Sequence, residues 1–389
     1  MSKARDVAEI ISTPPSIYST DAEVAATYLT QASASTTYLT QANNRTAFKN
    51  LIINGAMQVA QRGTSTASIT SDTYATTDRW RLLPSSQGTW TMSVENDAPT
   101  GSGFRKSTKV LCTTADASPG GADYVRLDQR IEGQNLQVVK KGTAAAEQLT
   151  ISFWVKANVT GTYIVSLYDV DNNRVVSKSY TINASATWEY KTITFPADTT
   201  GAFDNDNEAS LILIFRLGVG SNYSSGTLQT TWATYSDANS SVGQVNLASA
   251  TNNYWQITGV QLEVGATATP FEFKPFAQDL EQCQRYFQRF NGGYGWVGAV
   301  GTSLNNGTIG ATLMTEMRTI PSLARSGCQI NDYWTNGYSI TGITYWEGST
   351  KWVGATFTAS GSFSGRFYAF VRDLVNTSGT DYIDASSEL

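Results

Sequence analysis

Over the middle of the chain, apolar and polar residues alternate one by one. In QLTISFWVKAN at 148–158, Leu149, Ile151, Phe153 and Val155 alternate with Thr150, Ser152, Trp154 and Lys156. A strand turns successive side chains to opposite faces, so one set meets a core and the other faces out. Comparable runs lie at 163–169, 174–182, 188–195 and 254–264, with the turn residues Asp171, Asn172 and Asn173 between two of them and Pro196 ending another. The run at 211–219, LILIFRLGV, is almost continuously apolar, which predicts a central strand buried on both faces. Helical periodicity is nearly absent from 50–275. The pattern predicts a mainly β protein, with many antiparallel strands forming a sandwich of jelly-roll type with long loops.

Helical spacing occurs in two places. At 3–11, Val7, Ile10 and Ile11 share one face, Arg5 and Glu9 form an i,i+4 pair, and Pro14-Pro15 stops the element. So short an amphipathic helix needs something to pack on, and these three residues are the candidate anchoring face. At 276–290, Leu280, Cys283, Phe287 and Phe290 recur at alternating three and four residues, which predicts a linking helix. Between 16 and 49, the aromatics Tyr18, Tyr28, Tyr38 and Phe48 stand ten apart, and TYLTQA occurs at 27–32 and again at 37–42. A globular core has no need of that ruler. A stalk that buries one aromatic row against its copies does; three chains could bury it about an axis and two would meet the same need, and the expected assembly is a homotrimer with Leu280 and Phe287 as further contacts. The expected organisation is 1–49 anchor and oligomerisation stalk, 50–275 jelly roll, 276–290 linking helix, and 291–389 a second, smaller β domain rich in Gly and aromatics.

Composition narrows the chemistry. Charged residues make up 15% of the 389, well below the roughly 25% of an average soluble domain. The net charge is −5 with no basic run, which argues against nucleic acid and against polybasic membrane contact. No apolar run reaches transmembrane length, and MSKARDVAEIIS places charges where a signal peptide needs apolar residues, so the expected product is made in the cytoplasm without membrane insertion. Cys112, Cys283 and Cys328 are odd in number and far apart, as reduced thiols are.

Histidine is absent, which removes His-based nucleophile systems, imidazole metal sites and the usual neutral-pH base. Carboxylate pairs survive, and Asp128 with Glu132, or Asp204, Asp206 and Glu208, are the acids available for them. Asp128 and Glu132 read more simply as exposed strand-edge charge. The 204–208 loop reads as a solvated turn, or at most a structural calcium site. No catalytic residue, cofactor or metal ligand is assigned, and the chain is expected not to be an enzyme.

Aromatics reach 11%, a large stock of flat surface for cores or for stacking on sugars. The carbohydrate-binding candidates are Trp154, outward by alternation; Tyr168, on a face with Ile164 and Ser166; and Tyr223 and Trp232, within the polar stretch SNYSSGTLQTTWATYSD at 221–237.

Several words fall in a familiar order: NLIINGAMQVAQRGTS at 50–65, TDRW at 77–80, RLDQRIEG at 126–133, LTISFWVKANVTGTY at 149–163, WEYKTITFPADTTG at 188–201 and YWQITGVQLEVGATATPFEFKPFAQDLEQCQRYF at 254–287, with MRTIPSL at 317–323 more weakly. Together they resemble bacteriophage tail-fibre and virion structural proteins with carbohydrate-binding-like sandwiches, as in phages of marine bacteria. The resemblance implies a trimeric appendage whose N-terminus meets phage tail or capsid proteins, located on the virion, with β domains that bind bacterial surface polysaccharide. It supplies no sugar-binding residues. The alternatives are a capsid decoration or tail adaptor without glycan binding, and a capsule or lipopolysaccharide depolymerase.

Overall fold

The computed structural model describes residues 49–291, 297–300, 306–327, 329–331, 337–360 and 382–389. The anchoring candidates Val7, Ile10 and Ile11 and the row Tyr18, Tyr28, Tyr38 and Phe48 lie outside the described residues.

The alternating runs become strands: β1 (Ser65–Ile69), β2 (Arg81–Ser85), β3 (Thr89–Glu95), β4 (Ser107–Thr114), β5 (Tyr124–Glu132), β6 (Leu149–Ala157), β7 (Gly161–Asp169), β8 (Arg174–Ile182), β9 (Glu189–Phe195), β10 (Ala209–Val219), β11 (Ala233–Thr234) and β12 (Tyr254–Val264). They form two six-stranded sheets, in the orders β1-β3-β4-β12-β6-β9 and β11-β8-β7-β10-β5-β2. The inner residues are those the alternation selects. Leu149, Ile151, Phe153 and Val155 are buried, and Phe153 of the first sheet stands 5.1 Å from Phe215 of the second. Phe215 in turn meets Trp255 and Trp80, so one aromatic cluster joins both sheets. Strand β10 is central, between β7 and β5.

Polar residues of the words quoted above hold the backbone in place. Asn50 donates to Val260 O and accepts from the amides of Ile52 and Leu262. The Gln129 side chain exchanges two hydrogen bonds with the Ile53 backbone, standing in for a strand neighbour. Gly133 closes RLDQRIEG because any Cβ there would sit 2.1 Å from Asp204 O. Gly259 has φ +63° at an irregularity in β12, and a Cβ would lie 2.5 Å from the Phe104 ring.

The helical expectation for 276–290 is half right. Helix α1 covers Phe276–Gln284, and Phe287–Asn291 is strand β13. The segment YFQRF also alternates at period two, and pairing decides the matter, since β13 runs antiparallel to β20 (Tyr382–Ser386). Phe287, an expected trimer contact, is taken up by its own chain. It is 2% exposed inside its own chain, with the Arg62 guanidinium 3.5 Å above its ring. Leu280 is half-buried on α1.

Seven more strands complete the chain's β structure among the described residues: β14 (Val297–Val300), β15 (Asn306–Thr312), β16 (Ser322–Ser326), β17 (Gln329–Asn331), β18 (Gly337–Gly348), β19 (Trp352–Ala359) and β20. They build the sheets β13-β20-β16 and β14-β15-β19-β18-β17 around a second core that includes Phe290, Met317, Ile340, Phe357 and Ile383. Among the described residues no helix is long and apolar enough to cross a membrane.

Candidate functional site

The carboxylates singled out by sequence are not surface charges. Asp128 and Glu132 are both fully buried on β5. Arg81 grips Asp128 with two bonds of 2.9 Å, and Arg285 grips Glu132 with two of 2.8 Å. Tyr286 and Gln134 also donate to Glu132. Burial raises the Glu132 pKa, but the bonds from Arg285 and Tyr286 outweigh it and hold the carboxyl below its usual value. A carboxylate so bound neither gives nor takes a proton readily. They read as edge charges in sequence because alternation gives a residue's face but not what lies over it.

The 204–208 loop is also committed elsewhere. Asp206 accepts from the Glu208 amide, Glu208 pairs with Arg318 at 3.0 Å, and the Asp204 amide donates to Asp171. No group of three metal-ligating side chains occurs among the described residues. Nearby, the Lys141 ammonium meets Asp169 at 2.6 Å, Asp198 at 3.1 Å and the carbonyls of Thr200 and Gly201.

The outer face of the second sheet offers a different arrangement. Strand register places Ile212 between Tyr168 and Arg130, Ile214 between Ser166 and Asp128, and Arg216 beside Arg126. The segment after β10 runs along the edge of β8, with Ser177 N bonded to Gln229 O and Tyr235 N to Asn173 O, and it brings Tyr235 against Tyr168 and Tyr223 near Arg216 on this face. A cavity of about 320 Å³ results, lined by Arg126, Arg130, Arg216, Tyr168, Tyr235 and the apolar Val170, Ile212 and Ile214. That is the lower end of small-ligand pockets, which run from about 300 to 1,000 Å³. The Tyr168 and Tyr235 rings form one wall, 5.2 Å apart and 57° from parallel.

Positive charge exceeds its local partners here. Asp128 already serves Arg81 and lies 3.0 Å from Arg126 Nε, whose N–H is not directed at it. Asp72 also belongs to Arg81, and Asp237 meets the Tyr235 hydroxyl. Arg216 is 1% exposed, and its Nε, like that of Arg130, has no hydrogen-bond partner among the described residues. Burial first, then the neighbouring Arg126, pushes the Arg216 pKa down, while burial and Arg81 do the same for Arg130. Such a site favours an incoming anion.

Of the four aromatic candidates, Tyr168 alone lines this cavity. Tyr223 stands close by, edge-on to Tyr124 and 5.9 Å from the Arg216 guanidinium. Trp232 is occupied structurally: it packs on the core, donates to Pro196 O at 2.8 Å, and carries Lys141 over its ring. Trp154 does face outward, but on the other sheet, beside the half-exposed Tyr190 at 5.3 Å. Sequence reasoning missed the arginines and Tyr235. The period-two pair Arg126 and Arg130, and one arginine inside the apolar run of β10, were the signals that pointed there.

No family model matches the chain, and no curated protein matches it. Among solved structures, it is similar to the enzymatically active domain of bacteriophage CBA120 tailspike protein 4, at 15% identity and a TM-score of 0.30 over 55% of this chain, spanning only 21% of that one. It is also similar to a CBM4 module at 14% identity and TM-score 0.28, covering 54% of this chain and 97% of that one. A third is TmCBM61, solved with β-1,4-galactotriose, at 11% identity and TM-score 0.28, covering 56% and 99%. Scores of this size carry no argument about ligand or activity. The sandwich and its cavity stand on their own geometry.

Proposed function

We propose that this chain is a non-enzymatic, glycan-binding virion protein, a tail fibre or receptor-binding component mounted through 1–49 and presenting the outer face of its second sheet to the host surface. The observation that carries the binding half is the cavity of Tyr168, Tyr235 and the arginines. A sugar ring has an apolar CH face and a rim of hydroxyls, and this cavity sets two aromatic rings and an aliphatic floor against a fan of N–H donors. A single such contact is weak, with a millimolar site worth about 4 kcal/mol, and several copies on one particle raise the effective affinity. The non-enzymatic half is supported by Asp128 and Glu132, both held by arginines. The virion and trimer parts rest on the family resemblance and on the repeat at 16–49.

The test is adsorption competition with the full chain. The proposal expects the purified protein to bind host cells, to slow adsorption of its phage, and to lose both effects in Tyr168→Ala with an unchanged melting temperature. Full binding by that variant, or no cell binding by the wild type, contradicts it.

A further inference from the structure

The cavity carries more information than a sugar-sized shape. Its three arginines come from two adjacent strands, and register fixes them: Arg126 and Arg130 stand four apart on one face of β5, with Asp128 between them, and Arg216 lies opposite Arg126 on β10. Among the described residues their charge is only partly answered: Arg126 lies 3.0 Å from Asp128, a carboxylate that Arg81 already grips, Arg216 meets the Tyr235 hydroxyl, and neither Arg130 nor Arg216 pairs with a carboxylate. Burying a guanidinium without a full set of acceptors is costly, and the Nε atoms of Arg126, Arg130 and Arg216 lack hydrogen-bond partners among the described residues. Guanidinium forks match planar oxyanions, which accept two parallel N–H bonds. The adjoining wall is aromatic and aliphatic, as the carbon skeleton of a sugar requires.

We propose that the cavity between β5, β7 and β10 is an oxyanion subsite that selects an acidic sugar unit, with Arg126, Arg130 and Arg216 receiving the anion and Tyr168 and Tyr235 stacking on the ring. This rests on the glycan-binding reading above and names its ligand class. The anion is a carboxylate of a uronic-type sugar or a phosphate ester on a sugar, since both offer the same paired oxygens.

Titration calorimetry of the full chain with three probes tests this: trigalacturonic acid, neutral galactotriose and mannose 6-phosphate. The expected result is that at least one anionic probe binds about tenfold or more tightly than galactotriose, and that its affinity weakens as salt rises. The two anionic arms separate the sources, with trigalacturonic acid alone indicating a carboxylate and mannose 6-phosphate alone a phosphate. Arg126→Gln with Arg130→Gln, both partly exposed positions, should weaken the anionic probe about tenfold or more while leaving the unfolding midpoint near wild type. Should the pair fail to fold, Arg130→Gln alone carries the same expectation at smaller size. Equal binding of galactotriose and the acids, unmoved by the arginine variants, overturns the oxyanion subsite and leaves glycan binding standing. Absence of binding by all three probes overturns both.

Discussion

Arginine is buried in two regions of this molecule, and its company differs between them. At the seam between the sandwich and the β13-β20-β16 sheet, each guanidinium meets a carboxylate of the same chain. Arg285 holds Glu132, Arg289 holds Asp384 at 2.7 Å, Arg318 meets Glu208, and Glu388 is shared by Arg79 and Arg62. Burial lowers the Arg79 pKa, but Glu388 outweighs it and the net shift is upward. For Arg285 the Glu132 bond is the leading cause of a rise. On the outer face of the second sheet, Arg216 and Arg130 shift the other way. The same residue type thus has a carboxylate of its own throughout the seam, whereas on the second sheet Arg130 and Arg216 have none among the described residues and Arg126 shares Asp128 with Arg81.

The comparison breaks most visibly at Glu132. Glu132→Gln leaves Arg285 and Tyr286 facing a neutral group, and removing one partner of a buried pair costs about 3–5 kcal/mol. Urea unfolding should show that loss, and a change below about 1 kcal/mol would remove the seam from the account. Glu388→Ala should cost less, about 2–3 kcal/mol, because Arg79 retains the Arg130 carbonyl and Arg62 retains Asp78 at 3.7 Å.

Acid–base behaviour sharpens the seam further. Burial raises Asp78 to about 6 despite Arg62 and the Gln61 bonds. A carboxyl with a raised folded pKa stabilises most below its unfolded value of 3.8 and loses that contribution as pH rises through about 6. Glu132 has the opposite sign: its contribution is present above the unfolded 4.5 and is lost as pH falls through its lower folded value. Between pH 4 and 7, wild type should therefore lose about 2 kcal/mol relative to Asp78→Asn, read from paired urea midpoints. A flat difference would show that Asp78 is ionised throughout.

The smallest expected change is at Arg216. Arg216→Met should lie within about 1 kcal/mol of wild type in the absence of ligand, because it removes a buried charge that lacks a full set of partners. A loss as large as that of Glu132→Gln would make the two regions alike and end the distinction.

Much of this fold was legible along the chain. Alternation picked the inner residues of β6 correctly, and the apolar run at 211–219 became the central β10. The segment at 285–290 was harder, because YFQRF fits both periods and a distant partner, β20, decided between them. The site was harder still. Alternation placed Trp154 on an outer face, and it grouped Tyr168 with Ile164 and Ser166 without saying which way that face turns. It could not say that the segment after β10 brings Tyr235 against Tyr168, nor that Trp232 turns inward to Pro196. Asp128 and Glu132 went astray for the same reason: their arginines come from 47 and 153 residues away.

The central claim is that the arginines at β5 and β10 await an anion from outside the chain. A crystal structure of the full chain grown with trigalacturonic acid or mannose 6-phosphate tests it most directly. The account predicts an oxyanion within hydrogen-bonding distance of Arg126 and Arg130, with the sugar ring against Tyr168. A sugar seated instead on the Trp154–Tyr190 face, with the arginine cavity empty, would contradict it.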